Sequence, residues 1–123
     1  MTHKILIADD EQNIVISLEF LMKREGYEVS VAQDGDEAVE KIRAEMPDLV
    51  LLDVMMPRKS GFEVCQEVKG DPSLQAVRIL MLTAKGRDTE VAKGLALGAD
   101  AYMTKPFSTR ELVDKVRSML SGA

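Results

Sequence analysis

Short, continuous apolar runs alternate along this chain with longer segments in which apolar residues recur at helical spacing. Ile5-Leu6-Ile7-Ala8, Leu49-Val50-Leu51-Leu52 and Ile79-Leu80-Met81-Leu82 are unbroken apolar runs, the pattern of parallel strands covered on both faces. Tyr27 to Ala32 alternates instead, with Tyr27, Val29 and Val31 on one side, and this predicts an edge strand. Ala101-Tyr102-Met103, entered from Gly98-Ala99-Asp100, predicts a short fifth strand.

Five helices fall between and after these strands. Ile14, Leu18, Leu21 and Met22 mark the first, with Gly26 placed to cap it in the left-handed conformation. Ala38, Val39 and Ile42 mark the second, which Pro47 ends. The third starts near Gly61, carries Phe62, Cys65 and Val68, and closes at Gly70-Asp71-Pro72. Val91, Ala92 and Leu95 mark the fourth, and Leu112, Val113, Val116, Met119 and Leu120 form the apolar stripe of the fifth. Ser108 and Glu111 have the spacing of a capping box for that last helix. The expected class is α/β: a (βα)5 doubly wound, five-stranded parallel sheet, because right-handed crossovers allow little else.

Composition narrows the function. A length of 123 residues suits one domain over 1–123, and 46% hydrophobic with 30% charged residues suits a globular protein. The net charge of −5 argues against sequence-independent nucleic-acid binding. Cys65 is the single cysteine, so no internal disulfide forms and a cytoplasmic setting is expected. No apolar run approaches the ~20 residues of a membrane span, and Met1-Thr2-His3-Lys4 leads directly into a strand. The fifth helical pattern ends before Ser121-Gly122-Ala123, so no output domain is expected within this chain.

The candidate chemistry lies where strands give way to loops: Asp9 and Asp10 after the first, Asp53 after the third, Thr83 after the fourth and Lys105 after the fifth. In an open parallel sheet, ligands collect outside the carboxyl ends of the strands, so these residues are expected to converge. Each has a simpler reading alone. Asp9, Asp10 and Glu11 could serve the positive end of a helix, Asp53 a turn, Thr83 a helix cap and Lys105 the solvated surface. Together, three carboxylates in one crevice repel one another unless a cation or raised pKa values intervene, which points to Mg2+, or Mn2+, with Lys105 beside it. Cys65 is expected to be a buried small hydrophobe and His3 is too isolated to ligate a metal.

With these residues in place, the chain resembles the receiver domain of two-component response regulators. The resemblance rests on Ile-Leu-Ile-Ala-Asp9-Asp10, Asp53-Val-Met-Met-Pro57 with Gly61, Leu82-Thr83-Ala84, Gly98-Ala99-Asp100 and Lys105-Pro106-Phe107. It implies the flavodoxin-like strand order 2-1-3-4-5. It also implies a switch in a phosphorelay: Asp53 accepts a phosphoryl group from a sensor histidine kinase or a histidine phosphotransfer protein. Mg2+ is then held by Asp9, Asp10, Asp53 and the Met55 backbone carbonyl. Lys105, the Thr83 hydroxyl and the Ala84 N–H bind phosphoryl oxygens, and Tyr102 turns inward as Thr83 is drawn to the phosphoryl group. The surface of the fourth helix, fifth strand and fifth helix changes in consequence. Such a domain is not an enzyme beyond catalysing its own phosphotransfer and autodephosphorylation.

Met55 and Lys85 occupy positions that flank the attacking water in the family, and Met55 offers that water no hydrogen bond, so slow autodephosphorylation is expected. Around Lys105-Pro-Phe-Ser and Glu111-Leu the chain is similar to receivers of winged-helix regulators. Val91, Ala96 and Ala101 replace the charges those receivers use to dimerise, and Glu111, Lys115 and Arg117 lack the full set of partners, so the oligomeric state stays open. Other readings are a receiver-like interaction module without phosphorylation and a Mg2+-dependent aspartyl-phosphate phosphohydrolase. The latter usually has a second Asp where Met55 stands. A flavin or nucleotide domain would place a phosphate loop where Asp9-Asp10-Glu11 would repel phosphate.

Overall fold

In a computed structural model, residues 2–84 and 88–121 are described. Five strands, β1 (Lys4–Ala8), β2 (Glu28–Ala32), β3 (Leu49–Asp53), β4 (Arg78–Ala84) and β5 (Ala101–Lys105), alternate with helices α1 (Gln12–Arg24), α2 (Gly35–Glu45), α3 (Gly61–Lys69), α4 (Asp88–Ala96) and α5 (Thr109–Leu120). The sheet is parallel throughout, in the order β2-β1-β3-β4-β5. This is the flavodoxin-like arrangement, with β2 at an edge as its alternating pattern implied.

The period-two rule divides each central strand between two cores. Leu6, Val50, Leu52, Ile79 and Met81 face Ala38, Ile42, Val64, Cys65 and Val68 of α2 and α3. Ile5, Ile7, Leu49, Leu51, Leu80 and Leu82 face Val15, Leu18 and Met22 of α1 and Leu112 and Val116 of α5. Most of these side chains are fully buried, so truncating a central one such as Leu51 to Ala should cost about 2–5 kcal/mol. Cys65 is buried as expected, its thiol donating to the Leu97 carbonyl at 3.8 Å, and burial pushes its pKa up to about 11.

Helix ends follow local chemistry. Gly26 has φ +91°, one residue beyond the α1 cap Glu25, and the Ser108–Glu111 capping box of α5 is formed in both directions. The second helix ends on Met46 in the left-handed region, φ 49°, immediately before Pro47. The expected stripe on the fourth helix is corrected: Ala92 and Leu95 are exposed and Val91 half-buried, whereas Gly94 is the buried residue. The α4 backbone packs over Met81, where a Cβ on Gly94 would lie 3.5 Å from the Met81 Cγ. A glycine contact carries no apolar periodicity, so the sequence pattern favoured the wrong face.

Candidate functional site

Strand register brings the candidates together. Ala8 pairs with Leu52, Asp53 with Leu82, Thr83 with Thr104 and Ala84 with Lys105. Asp9, Asp53, Thr83 and Lys105 therefore lie within about a residue of one level at the carboxyl edge of the sheet. Three of them are strand residues rather than loop residues, which corrects the expectation that they follow their strands. Asp53 ends β3, Lys105 ends β5, and Thr83 is the last residue but one of β4.

Asp9 is fully buried and uses both carboxylate oxygens. Its Oδ1 accepts from the Glu11 N–H at 2.9 Å, closing a turn into α1, and its Oδ2 accepts from the Lys105 ammonium at 3.0 Å. The helix begins only at Gln12, with no side-chain cap at Glu11 and no acid in its first turn. Helix capping therefore does not account for Asp9 and Asp10.

Asp53 is 6% exposed, and Lys105 Nζ approaches its Oδ1 at 3.5 Å and Glu11 Oε1 at 3.7 Å. Burial first, then the Asp9 charge, raises the Asp53 pKa to about 6, against the lowering effect of Lys105. Burial alone would lower Lys105, but Asp53, Asp9 and Glu11 outweigh it and hold its pKa above the ordinary lysine value. One ammonium does not neutralise this much negative charge.

Asp9, Asp10 and Asp53 each offer a carboxylate oxygen, all within 4.8 Å of one another. All three donors are hard oxygens, two on buried residues and one on exposed Asp10. Such a set fits a small hard dication that retains water ligands. The residues present thus suit Mg2+.

Thr83 is 2% exposed and its hydroxyl finds no hydrogen-bond partner among the described residues. It lies inside β4, so the helix-cap reading does not hold. A buried hydroxyl left unpaired costs roughly 1–3 kcal/mol, which makes it a place where an incoming acceptor would be favoured. Ala84 is exposed beside it. A cavity of about 330 Å3 opens over the site, lined by Asp10, Glu11, Asp53, Met55, Ala84, Glu90 and Lys105. Met55 is 70% exposed at its mouth, and Tyr102 on β5 is 44% exposed.

Two contributors escaped sequence reasoning. Glu90 lines the cavity from the first turn of α4, a placement that depends on the path of the chain after β4. Glu11 was visible as an acid, but its approach to Lys105 was not. Lys85, assigned to the water path by resemblance, lies outside the described residues. Beside the acidic cavity, a groove of about 600 Å3 runs between α1 and the segment after β5, with Ile14, Leu18, Leu21, Pro106 and Phe107 on its walls.

The model of the response regulator receiver domain family matches residues 5–117. A structure from Chloroflexus aurantiacus assigned as a response regulator is 36% identical, with a TM-score of 0.94, covering 98% of this chain and 99% of that one. The CheY-like receiver domain protein of Methanospirillum hungatei is 30% identical, TM-score 0.92, covering 99% and 96%. The chemotaxis protein CheY4 of Vibrio cholerae is 32% identical, TM-score 0.90, covering 98% and 100%. Among the described residues no helix is long and apolar enough to cross a membrane.

Proposed function

The chain belongs to the response regulator receiver domain family, and from that premise we propose that it is a phosphorylation-dependent switch whose phosphoryl acceptor is Asp53. The observation that carries this reading is the meeting, at one sheet edge, of three carboxylates, a paired lysine and a buried hydroxyl with no partner among the described residues. That set suits a phosphoryl group in the presence of a dication and suits little else.

In this reading Asp9, Asp10, Asp53 and the Met55 carbonyl hold Mg2+, which supplies positive charge that lets a phosphoryl dianion approach an acidic pocket. An Asp53 carboxylate oxygen forms the new O–P bond as the N–P bond of a donor phosphohistidine breaks, and the imidazole leaves. Lys105 exchanges part of its pairing with Asp9 and Asp53 for a phosphoryl oxygen, while the Thr83 hydroxyl and the Ala84 N–H donate to others. Movement of Thr83 toward the phosphoryl group leaves room into which Tyr102 turns, altering the α4, β5 and α5 surface.

The donor is a sensor histidine kinase or a histidine phosphotransfer protein, and the apolar groove beside α1 is the surface suited to receive it. A cytoplasmic location belongs to the same reading. So does limited catalysis: the domain promotes its own phosphotransfer and its own dephosphorylation.

The test is incubation with acetyl phosphate and Mg2+ followed by intact mass measurement. A gain of one phosphoryl group, abolished by Asp53→Asn and by chelation, is the expected result. No gain would leave a receiver-like interaction module as the better description.

A further inference from the structure

The α2 helix supplies no side chain to the acidic site, yet its first residue presses on the segment that does. Asp34 caps α2, accepting from the Glu37 N–H at 2.8 Å, while Glu37 Oε1 accepts from the Gln33 N–H at 2.7 Å. The start of the helix is thereby fixed from both directions. Gly35 follows, buried, and donates its N–H to the Pro57 carbonyl at 3.3 Å. A Cβ at this position would lie 2.1 Å from the Lys59 carbonyl oxygen and 2.7 Å from its carbon. Both are backbone atoms, so no rotamer change could relieve the clash; the helix or the 54–60 segment would have to move.

That segment has little freedom of its own. The Lys59 N–H donates to the Pro57 carbonyl at 2.9 Å, and its ammonium lies 2.6 Å from Glu67 on α3 and 3.8 Å from Asp36 on α2. Arg58 adopts φ 70°, a left-handed conformation unfavourable to a residue with a Cβ, with its Nε 3.6 Å from Asp34 Oδ2. Such a conformation persists where its surroundings impose it. At the far end, the Gly61 N–H donates to the Val54 carbonyl at 2.9 Å, and a Cβ on Gly61 would lie 2.3 Å from the Asp53 carbonyl oxygen. The loop is gripped at both ends, and Met55 lies between.

We propose that Gly35, together with its neighbour Asp34, is a positioning residue for the dication-binding site. By having no side chain, Gly35 lets α2 seat against Pro57–Lys59 and so holds the Met55 carbonyl in place beside Asp53. The inference rests on the metal-binding reading given above and adds to it a residue on an element that touches no ligand. Mutating groups that orient metal ligands typically costs about 10–100-fold in metal affinity.

The experiment is titration of 15N-labelled protein with MgCl2, following amide shifts, for wild type, Gly35→Ala, Asp34→Ala and Gly26→Ala. Gly26 is the control: at φ +91° with nothing within 4 Å of its Cβ position, its substitution strains the backbone far from the site. Gly35→Ala should weaken Mg2+ binding by about tenfold or more and displace the Met56 amide, which shares its peptide bond with the Met55 carbonyl. Gly26→Ala should lower thermal stability while leaving Mg2+ affinity within about twofold of wild type. If Gly35→Ala does not fold, Asp34→Ala carries the test, since it loosens the same contact without a clash and should still weaken Mg2+ by about threefold. Wild-type affinity in whichever of the two folds overturns the positioning role and leaves the metal site standing. A wild-type protein that binds no Mg2+ overturns both.

Discussion

Lys105 and Asp9 stand 96 positions apart in the chain and 3.0 Å apart in the fold, ammonium to carboxylate. The same ammonium lies 3.5 Å from Asp53, so a single cation bridges the ends of β1, β3 and β5 across the site. Lys105 is 18% exposed at its side chain and Asp9 fully buried, which makes this pairing more consequential than the ion pairs on the surface.

Replacing Lys105 with Met should therefore destabilise the metal-free protein by roughly 1–3 kcal/mol, below the ~3–5 kcal/mol seen when a fully buried pair is broken. Saturating Mg2+ should recover much of that loss, because it supplies the missing positive charge. Thermal melts in EDTA and in MgCl2 check both statements; equal losses under the two conditions would refute the compensation.

Asp53→Asn should act in the opposite sense. Burial and the Asp9 charge raise the Asp53 pKa from 3.8 to about 6, so the folded state disfavours the ionised form. The resulting destabilisation is fully present above about pH 6 and disappears as pH falls toward the unfolded value near 4. Full conversion of that difference is about 3 kcal/mol, and solvent at the open mouth of the site reduces it to about 1–2 kcal/mol. In EDTA at pH 7.5, Asp53→Asn should melt above wild type, with the gap closing by about pH 4. A gap that stays constant over this range would contradict the assignment.

Thr83→Val removes a buried hydroxyl that has no partner among the described residues and keeps the side-chain shape. Unligated stability should be unchanged or rise by up to about 1 kcal/mol. On addition of beryllofluoride with Mg2+, amide shifts around Tyr102, α4 and α5 should follow in wild type and be lost in the variant. Chemical denaturation and NMR titration measure the two effects separately.

Met55 is 70% exposed at the cavity mouth and carries no group that could orient water. Met55→Asn should accelerate loss of the phosphoryl group, by a factor of a few up to about tenfold, through better placement of the attacking water. Decay of radiolabelled protein after removal of the donor is the measurement, and an unchanged half-life would count against slow decay arising from Met55.

Much of the architecture could be read from the chain because parallel strands buried on both faces must be apolar throughout. Leu49 to Leu52 could hardly be anything else once Pro47 and Asp53 bounded the run. The α5 stripe was legible for a related reason, since Leu112 and Val116 face one core and Ser108 with Glu111 mark the start. The α4 helix was not, because it packs through Gly94, and the absence of a side chain leaves no hydrophobic signal. Gly35 leaves no pattern in the sequence for the same cause: what matters there is the space that a neighbouring backbone fills.

The order of elements, the identity of the five candidate side chains and the repulsion among three acids, which calls for a cation or raised pKa values, came from sequence alone. Periodicity and charge are local properties, and the chain states them directly. Strand register, and with it the 4.8 Å grouping of Asp9, Asp10 and Asp53, was decided only in the tertiary structure. So were the burial of the Thr83 hydroxyl with no partner among the described residues, the bridging role of Lys105 and the grip of α2 on the loop beside Asp53. Each depends on the distance between segments far apart in the chain, and that distance is fixed only when both cores close around the sheet.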